Sequence, residues 1–138
     1  MTDPDLVLKK LARIETCVQE LRRLAEPMAL GKDLREERFV EHTLQIAIQA
    51  AVDAAAHVVA DERLGEPRTQ RELFDLLRRA GWLEEELARN MRSMCGFRNV
   101  LVHGYDEVDL DIVRDVLENG LGDLLAFVET IRRWVDRQ

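Results

Sequence analysis

At 138 residues, with 46% hydrophobic and 34% charged residues, the chain has the size and composition of one soluble globular domain over 1–138, with a substantial core and no room for a second. Its net charge of −7 argues against a generic nucleic-acid binder, because nonspecific affinity comes from lysines and arginines that displace counterions from phosphates. The longest apolar stretch, 46–60, is broken by Gln49, Asp53 and His57, and residues 1–4 lack the basic and apolar regions of a signal peptide, so no membrane association and a cytoplasmic location are expected.

Every periodic segment reads as helix, and no run alternates apolar and polar residues for long enough to demand a strand. Asp3 with Pro4 is an N-cap and first position. Leu11, Ile14, Val18, Leu21 and Ala25 then repeat at steps of three and four until Pro27 stops the helix. Asp33 followed by Glu36 has the form of a capping box, and the helix it opens runs to about Glu62, ahead of Gly65 and Pro67. Thr69 and Glu72 repeat the pattern and open a short helix with Leu73, Leu76 and Leu77, closed by Gly81. A fourth helix starts near Leu83 and carries Leu87, Met91 and Met94 toward Phe97. Gly104 marks the point where helical geometry ends. Asp109 caps a fifth helix reaching Glu118, the segment 119–122 is a turn, and Leu124, Phe127, Val128, Ile131, Trp134 and Val135 form a closing helix. The expected fold is all-α: an antiparallel up-down bundle of four main helices with one or two short ones. Cys17 and Cys95 stand in no CxxC or CxxH pattern and are assigned to packing, with no metal site and no cofactor expected.

The densest chemistry lies in Arg98-Asn99-Val100-Leu101-Val102-His103-Gly104-Tyr105. Arg98 offers a planar fork of donors to a phosphate, His103 moves a proton near neutral pH, and Tyr105 stacks on a base or presents a hydroxyl. On an unbroken helix Arg98 and His103 stand about 140° apart, whereas Asn99 and His103 share a face, so Asn99 is the natural residue to orient His103. Val100, Leu101 and Val102 are expected to anchor the segment to the core. Residues 63–98 hold eight arginines against six acidic residues, the one net-positive third of the chain, and they lead into this motif. Those arginines form either a local basic surface or ordinary solvated helix faces.

Upstream, Gln45, Gln49, Asp53 and His57 recur every four residues as a polar line on an alanine-rich helix. Two readings are open for it: Asp53 or His57 supports the site by orienting Arg98 or His103, or the line is a satisfied network between packed helices or across a dimer interface. Asp53 and His57 as metal ligands would lack a third partner. His42 reads as a surface or interface residue.

Metal-free RNA cleavage needs a group to take the 2′-hydroxyl proton, a group to protonate the leaving 5′-oxygen, and positive charge beside the phosphorus. One histidine does not easily serve both proton transfers, so the expected site is composite, with two His103 and two Arg98 meeting in the groove of a two-fold dimer.

The stretch RNVLVHGY, an Arg and a His separated by four residues with a Tyr two further on, together with the upstream HTLQIAIQAAVDAAAHVVA, resembles the HepT family of HEPN toxins. That resemblance implies a small HEPN-like helical ribonuclease that dimerises and belongs to a toxin-antitoxin pair of type II or VII. It implies Arg98 and His103 as catalytic residues. It also implies a minimal nucleotidyltransferase antitoxin as partner, which neutralises the toxin by transferring AMP to Tyr105. The alternative is a noncatalytic helical subunit that docks the nucleotidyltransferase and binds nucleotide or RNA through Arg98 without cutting.

Overall fold

Side-chain oxygens start three of the helices. Asp33 accepts from the amide of Arg35 at 2.9 Å, Asp109 from that of Asp111 at 2.9 Å, and Thr69 from that of Glu72 at 3.4 Å, each satisfying an amide that the first helical turn leaves open. The computed structural model describes residues 4–103 and 108–137, and of His103 its backbone. The helices are α1 (Pro4–Leu24), α2 (Leu34–Asp61), α3 (Gln70–Arg79), α4 (Glu85–His103), α5 (Leu110–Asp115) and α6 (Leu121–Asp136), with a 3₁₀ turn at Pro27–Ala29. No strand occurs among the described residues. The proposed caps at Asp33, Thr69 and Asp109 and the stop before Pro27 hold. Asp3 and Gly104 lie outside the described residues.

Side-chain pairings fix the helix directions. Lys10 meets Asp53 and the Glu26 amide donates to Glu36, so α1 and α2 run antiparallel. Arg114 reaches the carbonyl oxygens of Pro27 and Leu30 while Arg132 pairs with Glu15, so α5 and α6 run antiparallel to α1. Arg98 shares a cleft with Gln49, and Leu101 a cavity with His42, so α4 runs antiparallel to α2. The result is the expected up-down bundle, with α3 as a short helix folded back against α4 through the Asp75–Arg92 pair at 2.9 Å.

Three local expectations are corrected. Glu72 does not close a capping box with Thr69; its carboxylate accepts from the Arg68 amide at 2.6 Å. Glu36 does not close a capping box with Asp33; its carboxylate accepts from the Glu26 amide at 2.6 Å and Glu37 accepts from the Gly31 amide at 2.9 Å, so both tie down the α1–α2 connection. The segment 119–122 is not a turn either. A π-helical turn, Val116–Gly120, joins α5 to α6 end to end, and Asp115, Gly120 and Leu121 all keep right-handed helical dihedrals. Gly120 serves packing there: a Cβ would lie 3.0 Å from Val116 Cγ1 and 3.7 Å from Met94 Sδ on α4. Asn119 bonds back one turn to Asp115 at 2.7 Å, which satisfies it without leaving the helix.

The core is built around α2, whose Val40, Leu44, Ala47, Ala51, Ala54, Ala55 and Val58 are fully buried. Its alanines let α1 and α4 approach closely. By length and mean hydropathy α2 matches a membrane span, but 61% of that window is buried inside the bundle, so its apolar surface is spent on the core. Phe127 is fully buried and meets Phe74 edge to face, with ring centroids 5.8 Å apart. Phe127→Ala leaves a cavity there and should lower unfolding stability by about 3–5 kcal/mol. Urea denaturation with an unchanged m-value reads this directly, and a loss under about 1 kcal/mol would mean that the core refills the hole.

Candidate functional site

Burial of Met91, Met94, Cys95 and Leu101 fixes the rotation of α4 against the bundle. With that face inward, Arg98 enters the cleft where α1 and α2 pass, while Asn99 and Val100 turn to solvent. Val100 is 45% exposed, so the expected apolar anchor of the motif reduces to Leu101 and a half-buried Val102. Since α4 stays helical to His103, positions 98 and 103 stand about 140° apart around its axis and positions 99 and 103 about 40° apart. Tyr105 lies outside the described residues.

Arg98 is half-buried, and its Nε is shielded from solvent with no acceptor in reach among the described residues. A buried N–H without an acceptor is costly unless something completes it. The cleft it faces has a volume of ≈ 250 Å³ and is lined by Lys10 and Arg13 of α1, by Gln45, Gln49 and Asp53 of α2, and by Arg98. Gln45, Gln49 and Asp53 of the polar line thus meet the motif arginine in one place, and His57 is not among the lining residues. Within it, Gln49 Nε2 donates to Asp53 Oδ1 at 2.8 Å, and Lys10 Nζ lies 3.2 Å from Asp53 Oδ2. Both carboxylate oxygens of Asp53 are therefore engaged by neighbours other than Arg98, as a network between packed helices requires.

A larger cavity of ≈ 550 Å³ lies on the other side of Gln45, lined by Arg38, Phe39, Glu41, His42, Thr43 and the motif residue Leu101. Burial raises the Glu41 carboxyl above its ordinary range, partly opposed by the Arg38 charge. His42 is exposed at its rim, as a surface residue should be. The Cys95 thiol is also raised, first by burial, while Arg98 and Arg71 pull it the other way. Cys17 is raised by burial and by Glu20. Both cysteines are free and buried, in keeping with packing roles.

The arginine-rich third is partly neutralised. Arg71, Arg89 and Arg92 do line one cavity, but Asp75 and Glu72 share it and Asp75 holds Arg92. Sequence reasoning passed over Lys10 and Arg13, which reach Arg98 only through the packing of α1 on α2. Their spacing of three placed them on one face of α1, but nothing local said which helix that face would meet.

Comparison with known proteins bears on the family and the fold. The sequence model of the family described as Ribonuclease HepT-like matches residues 9–131. The mRNA nuclease HepT of Shewanella oneidensis is 30% identical over 129 residues, which are 93% of this chain and 97% of that protein. The tRNA nuclease HepT of Aphanizomenon flos-aquae is 30% identical over 136 residues, covering 96% of this chain and 92% of that one. Among solved structures, the tri-AMPylated Shewanella oneidensis HEPN toxin in complex with MNT antitoxin superposes with a TM-score of 0.87 at 30% identity, covering 96% of this chain and 99% of that one.

Proposed function

We propose, from the premise that the chain belongs to the ribonuclease HepT-like family, that it is a metal-independent endoribonuclease toxin held in check by a nucleotidyltransferase antitoxin. The observation that carries the chemistry is the Arg98 guanidinium, which lines a cleft together with Lys10 and Arg13, on the helix that continues to His103. In the reaction the 2′-oxygen attacks phosphorus as its proton is taken up, and the P–O5′ bond breaks as the 5′-oxygen gains a proton. A 2′,3′-cyclic phosphate and a 5′-hydroxyl result. His103 is the proton-transfer group and Arg98 holds the charge that builds on the equatorial oxygens. Asn99 shares the face of position 103 and is assigned to orient it. Asp53 supports the site indirectly, by holding Lys10 and Gln49 in the Arg98 cleft.

His103→Ala with purified protein tests the reading. Cleavage should fall by about 10²–10⁴-fold, the usual range for loss of a positioned acid or base. An RNA with a single 2′-deoxy substitution at the cut site should resist the parent protein. Undiminished cleavage by the variant, or cutting at the deoxy position, would remove this mechanism, whereas a parent protein that binds RNA without cutting it would favour the noncatalytic subunit.

The MNT antitoxin complex and the AMP groups of the Shewanella oneidensis toxin support a cognate nucleotidyltransferase as partner and AMP transfer as its means. Tyr105 is the proposed acceptor. One AMP adds a phosphodiester charge two residues from His103, where it competes with the substrate phosphate for Arg98. Tyr105→Phe should keep cleaving RNA yet escape neutralisation when both proteins are expressed together. An intact mass showing no added AMP on the parent chain, or equal neutralisation of the Phe variant, would point to inhibition by docking. We read residues 1–138 as a single domain, supported by its one contiguous core, and place the protein in the cytoplasm, where an RNA substrate and such a partner are found.

A further inference from the structure

The Arg98 cleft holds more positive charge than one scissile phosphate requires. Lys10, Arg13 and Arg98 enter it from two helices against a single carboxylate, Asp53, and Gln45 and Gln49 add neutral donors. On a chain of net charge −7 this concentration is local and opposite in sign to the whole. Its volume of ≈ 250 Å³ equals about eight waters, enough for a phosphate with part of its ribose. Arg13 is exposed and makes no ion pair within the 4.0 Å limit with any described residue, whereas Lys10 is tied to Asp53 at 3.2 Å. We propose that Lys10 and Arg13 form a second phosphate subsite, which grips the RNA backbone beside the scissile phosphodiester and feeds the strand to Arg98. The identity of the anion rests on the ribonuclease reading; the cationic cleft does not.

Asp53 sets the strength of this grip. Its carboxylate offsets one of the three cations and, with Gln49, fixes Lys10 at the cleft wall. The two kinds of substitution therefore act with opposite sign. Removing Arg13 or Lys10 weakens strand binding, and neutralising Asp53 strengthens it.

The experiment measures affinity of the full chain for an uncleavable single-stranded 2′-O-methyl oligoribonucleotide across a salt series. Each phosphate contact contributes about 0.7 to the slope of log K against log salt on single strands. Arg13→Gln should make the slope shallower by about 0.7 and weaken binding by roughly ten-fold at low salt, the worth of one charge-assisted hydrogen bond. Asp53→Asn should bind more tightly than the parent. Arg22→Gln makes the same charge change nine residues along α1, half a turn away from Arg13, and should behave as the parent. An unchanged slope in both Arg13→Gln and Lys10→Gln would overturn the subsite and leave the ribonuclease reading standing. Full cleavage by His103→Ala would have the reverse effect. 5′-AMP serves as a second probe. If it binds as tightly as the oligonucleotide and depends equally on Arg13, the cleft is a mononucleotide site and the strand proposal fails.

Discussion

Arg98→Lys lowers the rate of RNA cleavage by about 10²-fold or more at saturating RNA, although it keeps the positive charge. The expectation comes from shape. The guanidinium lines the cleft and presents a planar fork of donors that can meet two oxygens of one phosphate at once. A lysine places one hydrated ammonium at the end of a flexible stem, and the cleft already contains such a charge in Lys10. If bulk positive charge were sufficient, Lys10 and Arg13 would cover for the loss. Single-turnover kinetics with saturating RNA separate the outcomes. A large fall in the chemical step with binding nearly kept supports transition-state contact by the fork, whereas Arg13→Gln should act mainly on the RNA concentration needed for half-saturation. Thermal unfolding should move little, because the Arg98 Nε has no acceptor among the described residues to lose. Full activity of Arg98→Lys would reduce Arg98 to an electrostatic anchor.

Much of the bundle was legible because helix boundaries are local. Asp33, Thr69 and Asp109 cap within two or three residues of themselves, and Pro27 stops α1 through its own ring. The failures share one cause, a residue type with two uses whose choice is tertiary. Asn119 and Gly120 read as a turn pair, but Gly120 leaves room for the Val116 side chain one turn back, where a Cβ would lie 3.0 Å from Cγ1, and the chain absorbs the junction as a π-helical turn. Glu36 had the spacing of a capping box but found the Glu26 amide across the connection. Val100 was apolar in an apolar run, yet the rotation of α4 set by Met91, Met94, Cys95 and Leu101 leaves it outward.

The site was legible in its chemistry and only partly in its geometry. Arg98 and the polar line of α2 were both visible as patterns. That they face one another, with Lys10 and Arg13 closing the cleft, depends on how α1 and α4 flank α2. Asp53 could be singled out by its period of four from Gln49, but its engagement with Lys10, 43 positions away, has no signature in the chain.

A one-to-one mixture of His103→Ala and Arg98→Ala chains, each nearly inactive alone, should regain part of the activity, above that of either variant by itself. The argument starts from α4. Because it stays helical to His103, the backbone sets positions 98 and 103 about 140° apart on one chain, and Arg98 is committed to the cleft with α1 and α2. Two proton transfers and one phosphate clamp are more readily assembled from two copies of the motif, and a two-fold axis brings the same surface of each chain to the same groove. Val100, 45% exposed on the outer side of the motif helix, is the kind of apolar residue such a contact would cover. After exchange of subunits about half of the dimers are mixed, and each of these holds one intact Arg98 and one intact His103 across the axis. Recovery should therefore follow the fraction of mixed dimers as the mixing ratio is varied, peaking at equal proportions, and should vanish if the chains are kept below the concentration at which dimers form. Activity that never exceeds the better parent at any ratio, or a parent protein that remains fully active as a monomer at high dilution, would mean that each chain carries a complete site. The helical backbone between Arg98 and His103 would then have to open during the reaction.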